Sequence, residues 1–380
     1  MIARELRDKA IALSKQYPFV VITGPRQSGK STLAKSTFPD YRKVSLEDFD
    51  NREFARDDPR GFISTYPDKT IIDEVQRVPS LLSYLQTHSD DVGNVGMYIL
   101  TGSQNLQLME AVDQSLAGRV GLLHLLPFSK SEMAAGGILP QSLDSKLLCG
   151  CYPRLYDKGI APDDYYPNYI NTYVERDVRN MKSIGDLGRF VRFLKLCAAR
   201  VGQLLNKSSL ANDCGITVPT VDSWLSILEA SYILFLLKPD CNNYSKRLVK
   251  TPKLYFYDTG LVCSLLEIKT ETQMNTHYLR GNLFENMVVS DIIKNDFNKG
   301  IIEPSVSFWR DSVGNEVDLL HRDGDRVDAY EIKSSETFNE SFVDGLKYWS
   351  KLSGADSSRL HVVYGGDTLM RRSEAMVEPF

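Results

Sequence analysis

The 380-residue sequence is short of several things, and each shortage excludes something. No apolar run approaches the ~20 residues that a membrane-spanning helix needs. The first residues, Met-Ile-Ala-Arg-Glu-Leu-Arg-Asp-Lys, carry charges of both signs and no apolar core, so no signal peptide is expected. Cysteine is sparse: six residues are scattered along the chain, and only Cys149 and Cys151 stand close together. A zinc site would need two more Cys or His ligands near that pair, and the neighbouring sequence does not supply them. Reduced thiols and a cytoplasmic protein are expected instead. There is no general excess of positive charge either, since 45 Lys and Arg face 49 Asp and Glu for a net charge of −4. Any contact with nucleic acid must therefore come from local patches. What is present, 42% hydrophobic and 25% charged residues, is the composition of a soluble globular protein with room for about two or three domains.

Residues 24 to 31 read Gly-Pro-Arg-Gln-Ser-Gly-Lys-Ser, the pattern G-x-x-x-x-G-K-S. The apolar run Phe19-Val20-Val21-Ile22 precedes it and a helix-compatible stretch follows from Thr32. Strand, glycine-rich loop and helix in that order form the context of a phosphate-binding P-loop. Gly24 and Gly29 let backbone N–H groups turn toward a phosphate, and the helix N-terminus adds its dipole. The expected nucleotide-binding residues are Gly24, Pro25, Arg26, Gln27, Ser28, Gly29, Lys30, Ser31 and Thr32. In this reading Lys30 reaches the β- and γ-phosphates of ATP, and the Ser31 hydroxyl holds Mg²⁺.

A second apolar run, Thr70-Ile71-Ile72, ends in Asp73-Glu74. Continuous β-branched residues read as a strand buried on both faces. At its end, Asp73 is expected on the Mg²⁺ and Glu74 as the group that polarises the attacking water. The 43 positions from Lys30 to Asp73 leave room for one helix and one strand, the latter at Tyr41 to Leu46. Met97 to Thr101 reads as a third strand. Among the polar residues after it, Ser103, Gln104 and Asn105 are candidates to sense the γ-phosphate. Leu122 to Phe128 reads as a fifth strand ending at Pro127, with Arg119 just before it. Arg119 is either a transition-state arginine, in its own or a neighbouring site, or a surface residue.

The stretches GPRQSGKST, TIIDEVQRVPSLLSYLQ, YILTGSQNL and SLAGRVGLLHLLPFS together resemble a family of prokaryotic AAA-type ATPases. In that family the ATPase core precedes a C-terminal region long catalogued as a domain of unknown function. TYVERDV (172–178), FYDTGLV (256–262) and GNLFENMVV (281–289) extend the resemblance over essentially the whole chain. It implies an ATP-hydrolysing P-loop domain of three-layer α/β architecture and supplies no substrate.

From about Leu147 to Met181 the pattern turns helical, as a lid and linker. Arg176 and Arg179 there are further candidates for an arginine acting in a neighbouring site, or members of i,i+4 ion pairs. Residues 189 to 253 then give helix, short helix, helix and hairpin, the order of a winged helix. Over 238–253, Lys238, Lys246, Arg247, Lys250 and Lys253 face only Asp240. That local basic stretch points to DNA, with Lys246, Arg247 and Lys250 as the expected contacts. Thr217, Thr220 and Ser223 suit backbone contacts.

Near the C-terminus, Glu285 opens a helix. Asp318 follows on one strand, and Glu331-Ile-Lys333 on the returning strand, with twelve residues between Asp318 and Glu331. This order resembles the PD-(D/E)xK nuclease fold. Glu331 and Lys333 point to one strand face, and an antiparallel neighbour could bring Asp318 beside them. Two carboxylates could hold Mg²⁺ while Lys333 orients a water against a phosphodiester. Such a domain either cuts DNA or binds it without cutting. Trp309 and Arg310 either grip nucleic acid or close the core.

The expected fold is α/β: a three-layer P-loop AAA-type ATPase core (1–130), a helical lid and linker (131–188), a winged helix (189–262) and an α/β nuclease-like domain (263–380). The expected function is ATP-driven action on DNA, branched DNA among the candidates, with ATP and Mg as cofactors, a metal-dependent nuclease as a candidate activity, no membrane partner and a homo-oligomeric ring as one assembly. The alternative is an ATP-dependent regulatory or defence switch whose C-terminal domains bind protein partners without cutting DNA.

Overall fold

In β1 (Phe19–Thr23) all five residues are buried, and alternate side chains leave on opposite faces. Phe19 and Val21 enter one apolar cluster, and Val20 and Ile22 another. A strand coated on both sides in this way lies inside a three-layer sandwich. The computed structural model describes residues 2–103, 112, 115–174, 186–240 and 249–380. β1 is joined by β2 (Arg42–Ser45), β3 (Thr70–Asp73), β4 (Tyr98–Gly102) and β5 (Val120–His124) in a five-stranded sheet of order β2-β3-β4-β1-β5. Every pairing is parallel. β4 is thus the extra strand between the loop-bearing β1 and the carboxylate-bearing β3. The helices Leu6–Ser14 and Lys30–Thr37 cover one face with Leu6, Ala10, Leu33 and Ala34. Phe49–Asp57, Pro59–Thr65 and Leu81–Val92 cover the other with Ala55, Phe62, Leu81, Leu82 and Leu85. β5 ends earlier than the sequence suggested. After His124 only the Leu125 N–H still pairs, to Thr23 O at 2.8 Å, before the chain reaches Pro127.

Four helices follow: Lys130–Ala135, Leu143–Cys149, Pro153–Lys158 and Pro162–Tyr169. A capping box of Ser129 and Glu132 starts the first, and prolines at the first turn start the third and fourth. The middle region then has helices Leu187–Ala198, Lys207–Cys214 and Val218–Ala230. These pack on a three-stranded sheet of order β6-β8-β7, built from β6 (Gln203–Leu204), β7 (Leu234–Leu237) and β8 (Lys253–Phe256). Thr217 caps the third helix by accepting from the Thr220 N–H.

The C-terminal region centres on the long helix Arg280–Asn298 and a six-stranded mixed sheet. Its strands are β9 (Val306–Arg310), β10 (Glu316–Asp323), β11 (Arg326–Lys333), β12 (Leu360–Tyr364), β13 (Met370–Arg371) and β14 (Met376–Pro379), in the order β13-β14-β12-β11-β10-β9. The helix Asp344–Ser353 covers the face opposite the long helix with Leu346 and Trp349. Trp309 is fully buried on that face beside Tyr348, so it closes the core and is not available to grip nucleic acid. The other face joins a single apolar cluster that runs from Leu147 and Tyr166 through Phe190 and Trp224 to Phe284, Leu319 and Ile332. The middle and C-terminal regions are thus continuous. Buried Asn286 brackets the Phe256 backbone, accepting from its N–H at 2.6 Å and donating to its carbonyl at 2.9 Å. The 238–240 segment pairs along β9, with Asp240 N–H to Phe308 O at 2.7 Å.

Candidate functional site

The loop between β1 and the helix Lys30–Thr37 is bent by three positive-φ positions, Gly24, Gln27 and Gly29. At Gly24 a Cβ would collide with the Leu125 carbonyl oxygen, so only glycine permits this approach. Gly29 caps the helix with no side-chain partner, which leaves the first-turn N–H groups aimed into the loop. Lys30 is buried and folds back across the loop, donating to Gly24 O at 2.9 Å and Pro25 O at 2.7 Å. Pro25, Arg26, Gln27 and Ser28 line the same turn, and Thr32 follows Ser31 in the first helical turn. Arg4 ties the loop to its surroundings. Its guanidinium donates to Ser28 O at 2.8 Å, Leu126 O at 2.7 Å and the buried carboxylate of Glu132 at 2.8 Å.

Ser31 Oγ donates to both Asp73 oxygens, at 2.7 and 2.8 Å. Thr101 on β4 also donates to Asp73, and Lys43 on β2 pairs with it at 3.1 Å. Burial alone would raise the Asp73 carboxyl, but the bonds from Thr101 and Ser31 and the Lys43 charge hold it below the usual range. A hydroxyl and an ionised carboxylate in contact are the oxygen donors Mg²⁺ takes, so these residues fit that ion. Glu74 follows in a left-handed backbone conformation, φ 57°. Its carboxylate accepts from Ser103 Oγ at 3.1 Å and from the Gln76 amide. Lys30, Ser31, Asp73, Glu74 and Ser103 thus meet at the C-terminal edge of the parallel sheet. Gln104, Asn105, Arg176 and Arg179 lie outside the described residues.

Arg119 is not part of that group. It precedes β5, and its carbonyl accepts from the Phe19 N–H at the start of β1. The loop leaves the far end of β1, five residues or about 16 Å along the strand. Arg119 forms a bidentate ion pair with Asp90, at 2.6 and 3.0 Å. The parallel register therefore keeps it away from its own chain's loop 24–31, correcting one of the two active-site readings of Arg119.

One polar contact beneath the loop had no sequence signal. Thr23, the last residue before Gly24, shares a buried triangle with His124 of β5 and Tyr232 of the middle region. The three distances are 2.8, 2.9 and 2.7 Å. The Phe297 ring of the long helix lies 5.0 Å from the His124 ring. Burial pushes the His124 imidazole down to about 4. Tyr232 is held at φ 55°, a conformation rare for a bulky residue.

The C-terminal candidates also converge. β10 and β11 are antiparallel neighbours, which brings Asp318 beside Glu331 and Lys333. Lys333 Nζ stands 2.5 Å from Glu331 and 3.5 Å from Asp318. Glu285 on the long helix completes the set but does not touch Lys333 directly. Between them stands Lys253, from β8. Its Nζ contacts Glu285 at 2.9 Å, Glu316, and Asp318 at 3.8 Å. Tyr255 donates to Glu285 at 2.5 Å, and Arg310 pairs with Glu316 at 2.9 Å, so Arg310 serves this cluster. Burial, with Asp318 nearby, pushes Glu285 up to about 7 and Glu331 up to about 8. Burial would lower both lysines, but the surrounding carboxylates raise them above the usual range. Lys253, Tyr255 and Glu316 carry no sequence signal for this cluster; in sequence Lys253 belongs to the basic stretch 238–253.

Of the expected DNA contacts, Lys250 is exposed, and Lys246 and Arg247 lie outside the described residues. Lys238 is exposed as well.

The sheet order and the loop agree with a match of residues 16–134 to the model of the AAA domain. This part of the chain thus has the α/β fold of a P-loop ATPase core. Residues 140–272 and 280–379 match two models described as domains of unknown function, DUF8612 and DUF4143. Over 382 aligned residues the chain is 27% identical to uncharacterized proteins of Mycobacterium bovis and Mycobacterium tuberculosis, covering 98% of this chain and 83% of each of theirs. Among solved structures it is similar to a Walker-type ATPase of Pyrococcus abyssi, with TM-score 0.47, 15% identity, and 69% of this chain and 95% of that one covered. It is also similar to AMPPCP-bound DnaA of Aquifex aeolicus, with TM-score 0.30, 14% identity and 59% and 85% covered. Among the described residues no helix is long and apolar enough to cross a membrane.

Proposed function

We propose that this chain hydrolyses ATP at the loop 24–31 and that nucleotide state is relayed to the middle and C-terminal regions, which act on DNA. The observation that carries the hydrolytic part is the meeting of Lys30, Ser31, Asp73, Glu74 and Ser103 at one sheet edge. Loop N–H groups and the helix N-terminus hold the phosphates. Lys30 exchanges the Gly24 and Pro25 carbonyls for phosphate oxygens and neutralises their charge. Ser31 and Asp73 would hold Mg²⁺, which would supply neutralisation of the phosphate charge. Glu74 exchanges its bonds to Ser103 and Gln76 for the attacking water and takes its proton. Ser103, freed from Glu74, reports the γ-phosphate.

Thr23 is the first link of the relay, because it adjoins Gly24 and bonds both His124 and Tyr232. The middle region is read as a winged helix. Exposed Lys238 and Lys250, with Lys246 and Arg247 between them, support DNA contact at the wing. An arginine donated by a neighbouring subunit, and hence a ring, fits a site whose own Arg119 stands at the opposite edge.

A second reading, a regulatory or defence switch acting on protein partners, is favoured by one observation. The helix Val218–Ala230, which a winged helix would lay in the major groove, carries no Lys or Arg and exposes Asp222. The experiment that separates the readings is steady-state ATP hydrolysis without nucleic acid, with linear duplex, with single strands and with a four-way junction. Strong stimulation by one form supports action on DNA and names the substrate class. Hydrolysis that is flat across all four overturns the DNA reading and favours the switch. No hydrolysis at all, in any condition, overturns the ATPase.

A further inference from the structure

A nuclease of the kind the C-terminal order resembles needs a divalent cation among its carboxylates. Here two lysines, Lys253 and Lys333, stand among those carboxylates. Lys253 Nζ lies within ion-pairing distance of Glu285, Glu316 and Asp318, three carboxylates from two elements. Its side chain is 5% exposed, so water does not screen these contacts. An ammonium among three carboxylates sits where a hard cation with oxygen ligands would sit. The second half of the cluster is closed by Lys333, which pairs with Glu331 and Asp318. Asp318 Oδ2 is further committed to the Ile332 N–H at 2.8 Å.

Lys253 is also not placed to leave. It opens β8, which pairs with β6 and β7 on either side. Two residues on, Tyr255 bonds the same Glu285, and at the next residue Asn286 grips both polar groups of the Phe256 backbone. Leu254, Tyr255 and Phe256 belong to the apolar cluster that also holds Phe284, Met287 and Val288 of the long helix. Withdrawing the lysine would mean opening a continuous core rather than swinging a loop.

We infer that Lys253 is a built-in substitute for the divalent cation, so that the folded protein excludes Mg²⁺ and Mn²⁺ from the C-terminal carboxylates and does not cut DNA through them. The inference concerns the resemblance to a nuclease and stands apart from the hydrolysis of ATP. It makes the region a charge-neutralised scaffold whose middle-region lysine locks it to the rest of the chain.

The test is Mn²⁺ binding to the full chain without nucleotide, followed by electron paramagnetic resonance, for the unmodified protein, Asp318→Asn, Lys253→Met and Lys253→Met with Asp318→Asn. The Ser31 and Asp73 site is common to all four and cancels in the comparison. The unmodified protein and Asp318→Asn are expected to bind Mn²⁺ alike. Lys253→Met is expected to gain a site at least tenfold tighter than any in the unmodified protein, lost again in the double variant. Mn²⁺ binding by the unmodified protein that Asp318→Asn removes would overturn the inference. So would a folded Lys253→Met variant that gains nothing. Should Lys253→Met fail to fold, the first pair still decides, together with plasmid nicking in Mg²⁺: nicking lost in Asp318→Asn overturns the inference, and its absence supports it. ATP hydrolysis in the same preparations reports separately on the loop.

Discussion

The buried triangle beneath the nucleotide loop makes the protein acid-sensitive in a calculable way. His124 is neutral because it is buried, facing Thr23, Tyr232 and the Phe297 ring. Its folded value of about 4 lies below the ~6.5 of an exposed histidine. A depressed group contributes stability that is fully present above the unfolded value and is lost as pH falls through the folded one. The window here runs from about 6.5 down to about 4. At about pH 5 the unfolded chain is almost fully protonated at this residue and the folded one hardly at all, a loss of about 2 kcal/mol. Below about 4 the loss levels off near 3 kcal/mol. Glu285 and Glu331 are raised, so the stability they contribute is lost as pH rises through about 7 and about 8, and acid moves them the opposite way. They are common to any His124 variant and cancel in a comparison. Urea unfolding of the unmodified chain and of His124→Gln, followed by fluorescence at about pH 7.5 and about pH 5, isolates the histidine. The unmodified chain should lose about 2 kcal/mol more than the variant over that range. Parallel pH dependences would refute the assignment of a buried neutral imidazole to this triangle.

Three further outcomes concern the loop and its carboxylates and a fourth concerns Arg119, each read by steady-state ATPase and nucleotide-binding assays. Lys30→Ala should abolish turnover, and near-normal hydrolysis would remove the loop from the reaction. Glu74→Gln should still bind ATP but hydrolyse it 10²- to 10⁴-fold more slowly, roughly the contribution of a general base, and turnover at the unmodified rate would refute that role. Gly24→Ala should lose nucleotide binding and several kcal/mol of stability, on the order expected when a side chain is forced against backbone at a left-handed position. A stable, ATP-binding variant would contradict the close approach to Leu125. Arg119→Ala should keep its turnover, because Asp90 holds the side chain at the far edge of the sheet. A loss on the order of 10³-fold would instead put Arg119 in a neighbouring subunit's site.

What could be read in advance follows the range of each interaction along the chain. The loop at 24–31 and the run ending at Asp73 are local patterns, and the strands and turn they need are spelled by adjacent residues. The ordered set Glu285, Asp318, Glu331 and Lys333 was visible because a hairpin and the two-residue period of a strand bring three of its members together. Lys253 was misread for the opposite reason. Along the sequence it belongs to a basic stretch, yet β8 carries it across to carboxylates 32 to 65 residues later. β6 escaped because two residues make no pattern. Arg119 shows a subtler limit: being next to a strand does not say which end of the sheet that is, and only the parallel register does. Trp309 and Arg310 had two readings, which burial and the Glu316 partner separate.

The seam between the middle and C-terminal regions also bears on how such a chain can be inherited. The two family matches stop at 272 and resume at 280, a boundary that invites shuffling of the pieces. Yet Lys253, Tyr255 and Phe256 on one side are spoken for by Glu285, Asn286, Glu316 and Asp318 on the other. A C-terminal piece grafted from a relative would bring carboxylates without their lysine, and a middle piece alone would bring a buried cation with nothing to neutralise it. Recombination across that boundary meets a lock whose two halves must travel together.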